Sequence, residues 1–229
     1  MNPKPRVSFI LLAIPCALAF ISSFCVMVVE LVASRVIAPT IGMSLYTWTS
    51  VIGVVLLGMT VGNPIGGRLA DRYNTRRVCA VLFVSAGLAC VAILLLNYLV
   101  GPLDILGLSR VESWPLRIAL HVTVVFFLPA TALGLVGPVV AKMALDLGLE
   151  AGKTVGNVYA WGALGMISGA FATGFYLIQA MGVWQIVVSM AAVLAAVGVL
   201  VGASVPWRER PLRVAEAGRA VASGAERRV

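Results

Sequence analysis

The stretch VCAVLFVSAGLACVAILLLNYLV, residues 78–100, decides the fold because it continues for 23 residues without a charged side chain. The hydrocarbon core of a bilayer is about 30 Å thick, and a helix needs about 20 mostly apolar residues to cross it. The runs of this kind are continuously apolar and do not alternate, which predicts membrane-spanning helices. Six are predicted, over residues 8–33, 47–67, 78–100, 116–141, 155–179 and 182–203.

The composition places the chain among integral membrane proteins. Hydrophobic residues make up 61% of the 229 residues and charged residues only 11%, whereas a soluble domain has about 25% charged residues. The sequence predicts an all-α transmembrane domain over residues 1–206 and a basic cytoplasmic tail over residues 207–229. The first apolar run continues through Val32, which favours a retained helix over a cleaved signal peptide.

The basic residues indicate the orientation of the chain. The net charge is +8, and most lysines and arginines precede the first span, separate the second and third, flank the connection after the fourth, or lie in the tail. Because cytoplasmic connections carry the excess of Lys and Arg, we expect both termini in the cytoplasm. The charge then sets topology, and its expected partners are membrane lipid headgroups rather than nucleic acid.

The segment ELVASRVIAP (30–39) places two ionisable side chains at the end of the first apolar run. If the helix begins near residue 8, Glu30 lies about 33 Å along it, at or just past the outer edge of the hydrocarbon core. Arg35 follows, and Tyr46 and Trp48 suit the aromatic belt at the interface. The four residues are interpreted either as an interfacial anchor or as a vestibule for a small polar or cationic molecule, with Glu30 as counter-ion.

A second polar cluster begins the fifth span. Asn157 and Tyr159 are expected at its cytoplasmic end, where they either anchor the helix at the interface or contribute to a weak substrate-binding site. His121, the only histidine in the sequence, is expected near the outward start of the fourth span. It is interpreted either as a structural residue or as a proton-coupling group.

The connection between the second and third spans carries the most specific motif, GGRLADRYNTRR (66–77). It resembles the loop signature of the major facilitator superfamily, a glycine followed by an acid four residues on, a basic residue, and a basic pair after a turn. Asn74 stands where that family prefers a second glycine, and asparagine tolerates the left-handed conformation. Asp71 is expected to cap a helix end or to pair with an arginine as a gate latch; a topogenic basic turn is the alternative. The matching residues are Gly67, Asp71, Arg72, Arg76 and Arg77.

Small residues recur at four-residue spacing in the second and fifth spans. Such spacing lets helix backbones approach closely in lipid. The rows are interpreted either as ordinary packing within the chain or as a face that rocks or dimerises. They consist of Gly58, Gly62, Gly66, Gly165 and Gly169.

Two longer segments resemble the membrane region of bacterial spermidine-synthase-like proteins, in which a facilitator-like membrane part is joined to a cytoplasmic aminopropyltransferase domain. They are ELVASRVIAPTIGMSLYTWTSVIGVVLLGMTVGNPIGGRLADR (30–72) and GNVYAWGALGMISGAFATGFYLI (156–178). The resemblance implies half of a facilitator fold, three plus three helices, in the bacterial inner membrane. The Gly-rich loop and polyamine-binding acids of the aminopropyltransferase have no match in this sequence. No enzyme activity, catalytic residue, cofactor or metal site is therefore expected.

Two functions remain open from the sequence. The first is a non-catalytic membrane subunit that assembles with a second copy or with another membrane or cytoplasmic protein. The second is a half-transporter that moves a small polar or cationic molecule, such as a polyamine, as a dimer. Half a facilitator is not by itself a pathway, which favours the first.

Overall fold

The computed structural model describes residues 5–204, with side chains from Leu12 onward, and the predicted basic tail at 207–229 lies outside the described residues. All regular elements in this part of the chain are helical. The helices are α1 (Pro5–Ile41), α2 (Leu45–Arg72), α3 (Thr75–Val100), α4 (Trp114–Gly134), α5 (Val136–Leu145), α6 (Ala151–Ala172), α7 (Ile178–Ala180) and α8 (Val183–Ala203). A 3-10 turn covers Leu108–Arg110, and a π-helical turn over Thr173–Leu177 joins α6 to α7.

The prediction of six spans is confirmed for the described residues, where six helical stretches are long and apolar enough to cross a membrane. The fourth span consists of α4 and α5, and the fifth runs from α6 to α7. The break between α4 and α5 at Leu135 follows from Pro138, whose ring clashes with the carbonyl of Gly134 and cannot donate to it. The described part of the chain is thus all-helical, and its six apolar helical stretches indicate a multi-pass membrane protein.

The predicted end of the first span at residue 33 is wrong. Helix α1 passes through Ser34, Arg35 and Pro39 and ends at Ile41. It stops because Gly42 takes a left-handed conformation, with φ of 84°, and donates its N–H to the carbonyl of Ala38 at 2.8 Å. The extra length moves every residue near Glu30 away from the end of the helix.

Three helix pairs carry most of the packing. Helix α2 lies against α4, α3 lies against α8, and α1 lies against α6. Smaller contacts join α3 to α4 and α1 to α8. The first and fourth spans are the most buried, so they form the centre of the bundle, while α2 and the fifth span lie at its flanks. If span one is exchanged with span four, two with five and three with six, the same three pairs result.

The glycine rows lie inside these pairs. A Cβ atom on Gly58, Gly62 or Gly66 would overlap backbone or Cβ atoms of α4 and of Leu135, and a Cβ atom on Gly165 or Gly169 would meet Phe20 or Phe24 of α1. All five glycines are buried against their own chain. They serve close packing within the bundle, and they do not form the surface that a separate chain would contact.

Gly62→Ala is expected to destabilise the bundle, because the added methyl group would overlap the backbone of α4 at Thr131 and Gly134. Gly53→Ala on the same helix is the matched control, since nothing lies within 4 Å of its Cβ position. We expect Gly62→Ala to lose about 1–3 kcal/mol of unfolding free energy and Gly53→Ala to lose none, because alanine favours a helix. Denaturant unfolding in detergent micelles measures both; equal stability of the two variants would contradict this packing.

Candidate functional site

Glu30 lines a small, almost wholly apolar cavity between the first four spans. The cavity has room for about one water molecule. Among the described side chains, none donates a hydrogen bond to the Glu30 carboxyl group or forms an ion pair with it. The other lining residues are Val26, Val29, Val55, Met59, Ile93, Phe126, Pro129, Ala130 and Leu133.

The expectation that Glu30 lies at the outer edge of the bundle is wrong. Because α1 continues to Ile41, Glu30 lies about 16 Å short of the helix end. Two of its cavity neighbours, Met59 and Pro129, lie near the middle of α2 and of the fourth span. The carboxyl group is therefore at mid-depth, where an ionised side chain is most costly.

The residues predicted to share a vestibule with Glu30 do not line its cavity. Arg35 is exposed, one to two turns further along α1, and no ion pair joins it to Glu30 among the described residues. Tyr46 and Trp48 are exposed in the first turn of α2. These three side chains lie in the last two turns of α1 or the first turn of α2.

A partly buried polar network joins three spans on the side of Glu30 towards the end of α1. The side-chain amide of Asn97 donates to the Val36 carbonyl of α1 at 3.1 Å. Its carbonyl oxygen is therefore left to accept from Nε2 of His121 at 3.0 Å. His121 is only 3% exposed, so its place is in the bundle interior. Asn97 was missed at the level of sequence, although a lone amide within an apolar run was a usable signal.

Ser34 is a buried polar group of α1 that lacks a partner, whereas Glu30 is half-buried. Its side chain is 1% exposed, and among the described residues it is the one fully buried side-chain oxygen without a hydrogen bond. Ser34 lies four residues after Glu30, so the two side chains share a face of α1. Glu30 and Ser34 are therefore unpartnered polar groups one turn apart on the first span.

The loop motif is tied to the end of the fourth span. Among the described residues Asp71 pairs with Lys142 of α5 at 3.3 Å, and no ion pair with an arginine is present there; Lys142 also lies 3.8 Å from Asp146. The Thr75 hydroxyl donates to Asp146 at 2.8 Å. The pair is substantially exposed, so its electrostatic contribution to stability is small. Its geometric effect is to join the end of α2 and the start of α3 to the end of the fourth span.

Arg72 and Asn74 of the motif make local contacts. The Arg72 guanidinium lies over the ring of Tyr73, 5.8 Å from its centroid. Asn74 caps α3, accepting from the Arg76 amide at 3.1 Å. Its φ is −60°, so Asn74 does not use the left-handed conformation that asparagine tolerates, and its place as a helix cap accounts for the residue. Gly67 has open space around its Cβ position.

The polar residues predicted to cluster at the start of the fifth span do not all face the same way. Asn157 and Trp161 line an open groove against the first turns of α1, and Trp161 packs edge-on to Phe20 with ring centroids 6.3 Å apart. Tyr159 is exposed and does not line this groove. The groove is separate from the Glu30 cavity, since the two have no lining residue in common.

The described residues contain neither a cluster of metal ligands nor a disulfide bond. No group of three or more His, Cys, Asp or Glu side chains is positioned to hold a metal ion in residues 5–204. The four cysteines, Cys16, Cys25, Cys79 and Cys90, are buried free thiols.

No family model, curated protein or solved structure matches this chain.

Because Asn97 and His121 are hydrogen-bonded to each other, we expect the losses of unfolding free energy caused by substituting them to be strongly non-additive. Asn97→Leu leaves the buried His121 ring without its partner and is expected to cost about 1–3 kcal/mol, whereas replacing both residues with apolar ones (Asn97→Leu with His121→Phe) is expected to cost less than the two single changes together. Asn157→Leu is the control, because Asn157 is exposed. Unfolding free energies in detergent give the cycle; simple additivity would show that the hydrogen bond is not formed.

The loop between the third and fourth spans contains a turn whose hydrogen bonds are expected to depend on pH. Asp104, at φ of 43°, accepts from the Ser109 hydroxyl and from the Ser109 amide at 3.2 Å. Because these bonds favour the ionised form, above all the one from the Ser109 side chain, they hold the pKa of Asp104 below its ordinary value. The turn is thus expected to be intact above the ordinary pKa of about 3.9 and to loosen only as pH falls through the lowered pKa.

The chemical shift of the Ser109 amide measures this transition. Asp104→Asn tolerates the same backbone conformation and should remove the titration. A midpoint at or above the ordinary aspartate value would contradict the hydrogen-bonded turn.

Proposed function

We propose that this chain is a non-catalytic integral membrane subunit that assembles with a second membrane-embedded chain through the exposed faces of α2 and the fifth span. The proposed partner is a second copy of this chain. The proposal includes a half-facilitator arrangement of three plus three helices, in a bacterial inner membrane with both termini in the cytoplasm. Its relation to the membrane region of spermidine-synthase-like proteins rests on the sequence resemblance.

A mismatch between polarity and exposure carries the proposal. Among the six spans that the structure describes, α2 and the fifth span are the two least apolar. They are also the two least buried, with 28% and 22% of their apolar windows inside the bundle, against 33–56% for the others. In a bundle surrounded only by lipid, the flanking helices should be the more apolar ones. The exposed faces of these two spans therefore suit contact with protein or water better than contact with lipid.

The exposed faces of these two spans carry small and polar side chains among larger apolar ones such as Leu56 and Ile167. On α2, Thr49, Gly53, Thr60 and Asn63 are exposed at positions that follow one side of the helix. On α6, the exposed residues include Gly152, Gly156, Ala160 and Ala163. An asparagine side chain facing hydrocarbon is costly, and small residues are typical of helix–helix interfaces in membranes. Unlike the glycines packed within the bundle, these residues remain available to another chain.

The packing pairs support the three-plus-three arrangement and suggest the geometry of the dimer. The pairings of α2 with α4 and of α6 with α1 correspond when the two halves of the chain are exchanged, as inverted repeats require. The two flanking spans would then meet their counterparts across a two-fold axis, α2 of one copy against the fifth span of the other. Successive spans run in opposite directions, so the start of α2 and the end of the fifth span lie on the same side of the membrane.

Cross-linking between differently tagged copies tests this arrangement. Gly53→Cys in one copy and Gly174→Cys in the other place thiols at matching depths, and neither Cβ position has an atom within 4 Å. We expect a bifunctional thiol reagent to join the two tags in native membranes. The four native cysteines are buried and compete little.

Two pairs serve as controls. Gly53→Cys with Gly156→Cys puts the thiols near opposite ends of the spans, and Leu88→Cys with Val193→Cys uses exposed positions on α3 and α8. Neither pair should join the tags. The proposed dimer would be rejected if the matched pair gave no adduct, or if all three pairs gave equal yields.

A half-transporter that works as this dimer is the second candidate, and the unpartnered Glu30 at mid-depth favours it. The Asp71–Lys142 pair would then act as a latch between α2 and the fourth span. Uptake of labelled polyamine into proteoliposomes, present in the unaltered protein and lost in Glu30→Gln, is the expected result. If uptake is absent, or is unchanged in Glu30→Gln, the half-transporter function is rejected and only the subunit function remains.

A further inference from the structure

Glu30 poses an energetic problem that the assembly function does not explain. An ionised carboxylate within apolar surroundings is unstable unless it is paired and hydrogen-bonded. The residues that line its cavity on α1, α2, α3 and α4 supply neither a cation nor a side-chain donor. If the side chain at this position only packed or anchored α1, leucine or glutamine would be less costly there than glutamate. The presence of a carboxyl group here points to the binding of something that neutralises it.

The size and chemistry of the cavity select the ligand. A metal cation such as sodium needs several oxygen ligands, whereas the lining side chains offer only the two oxygens of Glu30. The cavity has room for about one water molecule and none for an organic cation. A proton needs no further ligand. We propose that Glu30 is a proton-binding site inside the bundle, which exchanges its proton with water through this cavity.

Two neighbouring features support proton exchange. Pro129 lines the cavity and has no N–H, so the Val125 carbonyl oxygen lacks its helical donor and can accept from a protonated acid or a water molecule. Ser34, one turn from Glu30 on the same face of α1, holds a buried hydroxyl without a partner. Neither group lines the cavity itself, but each lies within about one helical turn of a residue that does, where a water molecule can donate to the carbonyl oxygen or bond to the hydroxyl group.

The titratable groups around the site do not replace Glu30 in this role. None of the other residues that line the cavity from α1, α2, α3 or α4 is titratable. The nearest such groups along those helices are Cys25 and Arg35 on α1, Cys90 on α3 and His121 on α4, while α2 has none near Met59. His121 is held by Asn97, and the thiols are buried. Glu30 is thus the group whose charge changes in this cavity.

Protonation of Glu30 should control how α1 packs against α2 and the fourth span. With the proton bound, the cavity can stay dry and closed. Without it, the carboxylate needs more water than the single molecule for which the cavity has room, so the walls must separate. The site therefore couples proton release to loosening at the centre of the bundle, whichever chain lies against its flanks.

Dicyclohexylcarbodiimide tests the site directly, since this apolar reagent modifies protonated carboxyl groups within membranes. The intact protein in lipid nanodiscs is labelled over a range of pH, and peptide mass spectrometry locates the adduct. We expect the adduct at Glu30, with a labelling rate that falls as pH rises. Glu30→Gln should lose it completely, and Glu112→Gln, in an exposed loop, should keep it.

Three results would overturn the proposal. They are the absence of an adduct at Glu30 at every pH, labelling that does not change with pH, and protection when sodium replaces choline at constant ionic strength, which would indicate a metal cation instead. The pH profile of the unaltered protein decides the matter even if Glu30→Gln fails to fold. The assay needs neither a dimer nor transport, so its outcome is independent of the cross-linking result.

Discussion

Close backbone contact between helices is the constraint on which the rest of this bundle depends. Lipid tails are as apolar as the side chains they would replace, so helices in a membrane associate through close packing and polar contacts rather than through the hydrophobic effect. Gly62 and Gly66 bring α2 against the carbonyl groups of Thr131 and Leu135, and Gly165 brings α6 against Phe20. These contacts fix the first and fourth spans at the centre, where the cavity of Glu30 lies.

Two polar sites in the interior have opposite characters. Asn97 and His121 satisfy each other and bind the Val36 carbonyl, so they join three spans in one arrangement. Glu30 and Ser34 have no partner among the described side chains. A satisfied network in low dielectric stabilises a unique structure, whereas an unsatisfied group is costly. Unsatisfied groups persist where a ligand or a change of state compensates them, and this contrast separates the structural polar site from the functional one.

The exposed surface follows the same logic at a larger scale. The glycines in the helix pairs are used within the chain, while a second set of small and polar residues on α2 and α6 remains exposed. The first set explains why the bundle holds together. The second accounts for the assembly proposed here, because it lies on the two spans least suited to lipid. The central cavity and the flanking faces are thus separate features, with separate physical causes.

The sequence by itself determined the number of spans, because the thickness of a bilayer sets a length of apolar chain that is visible without any contact. It also indicated the glycine rows and the loop motif. It failed where the answer depended on neighbouring helices. The depth of Glu30 changed once α1 proved to end at Gly42, and the partner of Asp71 proved to be Lys142, which lies 71 residues away in the chain. Only the tertiary structure decided which polar groups are satisfied, since a hydrogen bond between helices depends on their packing and not on residue spacing along one chain.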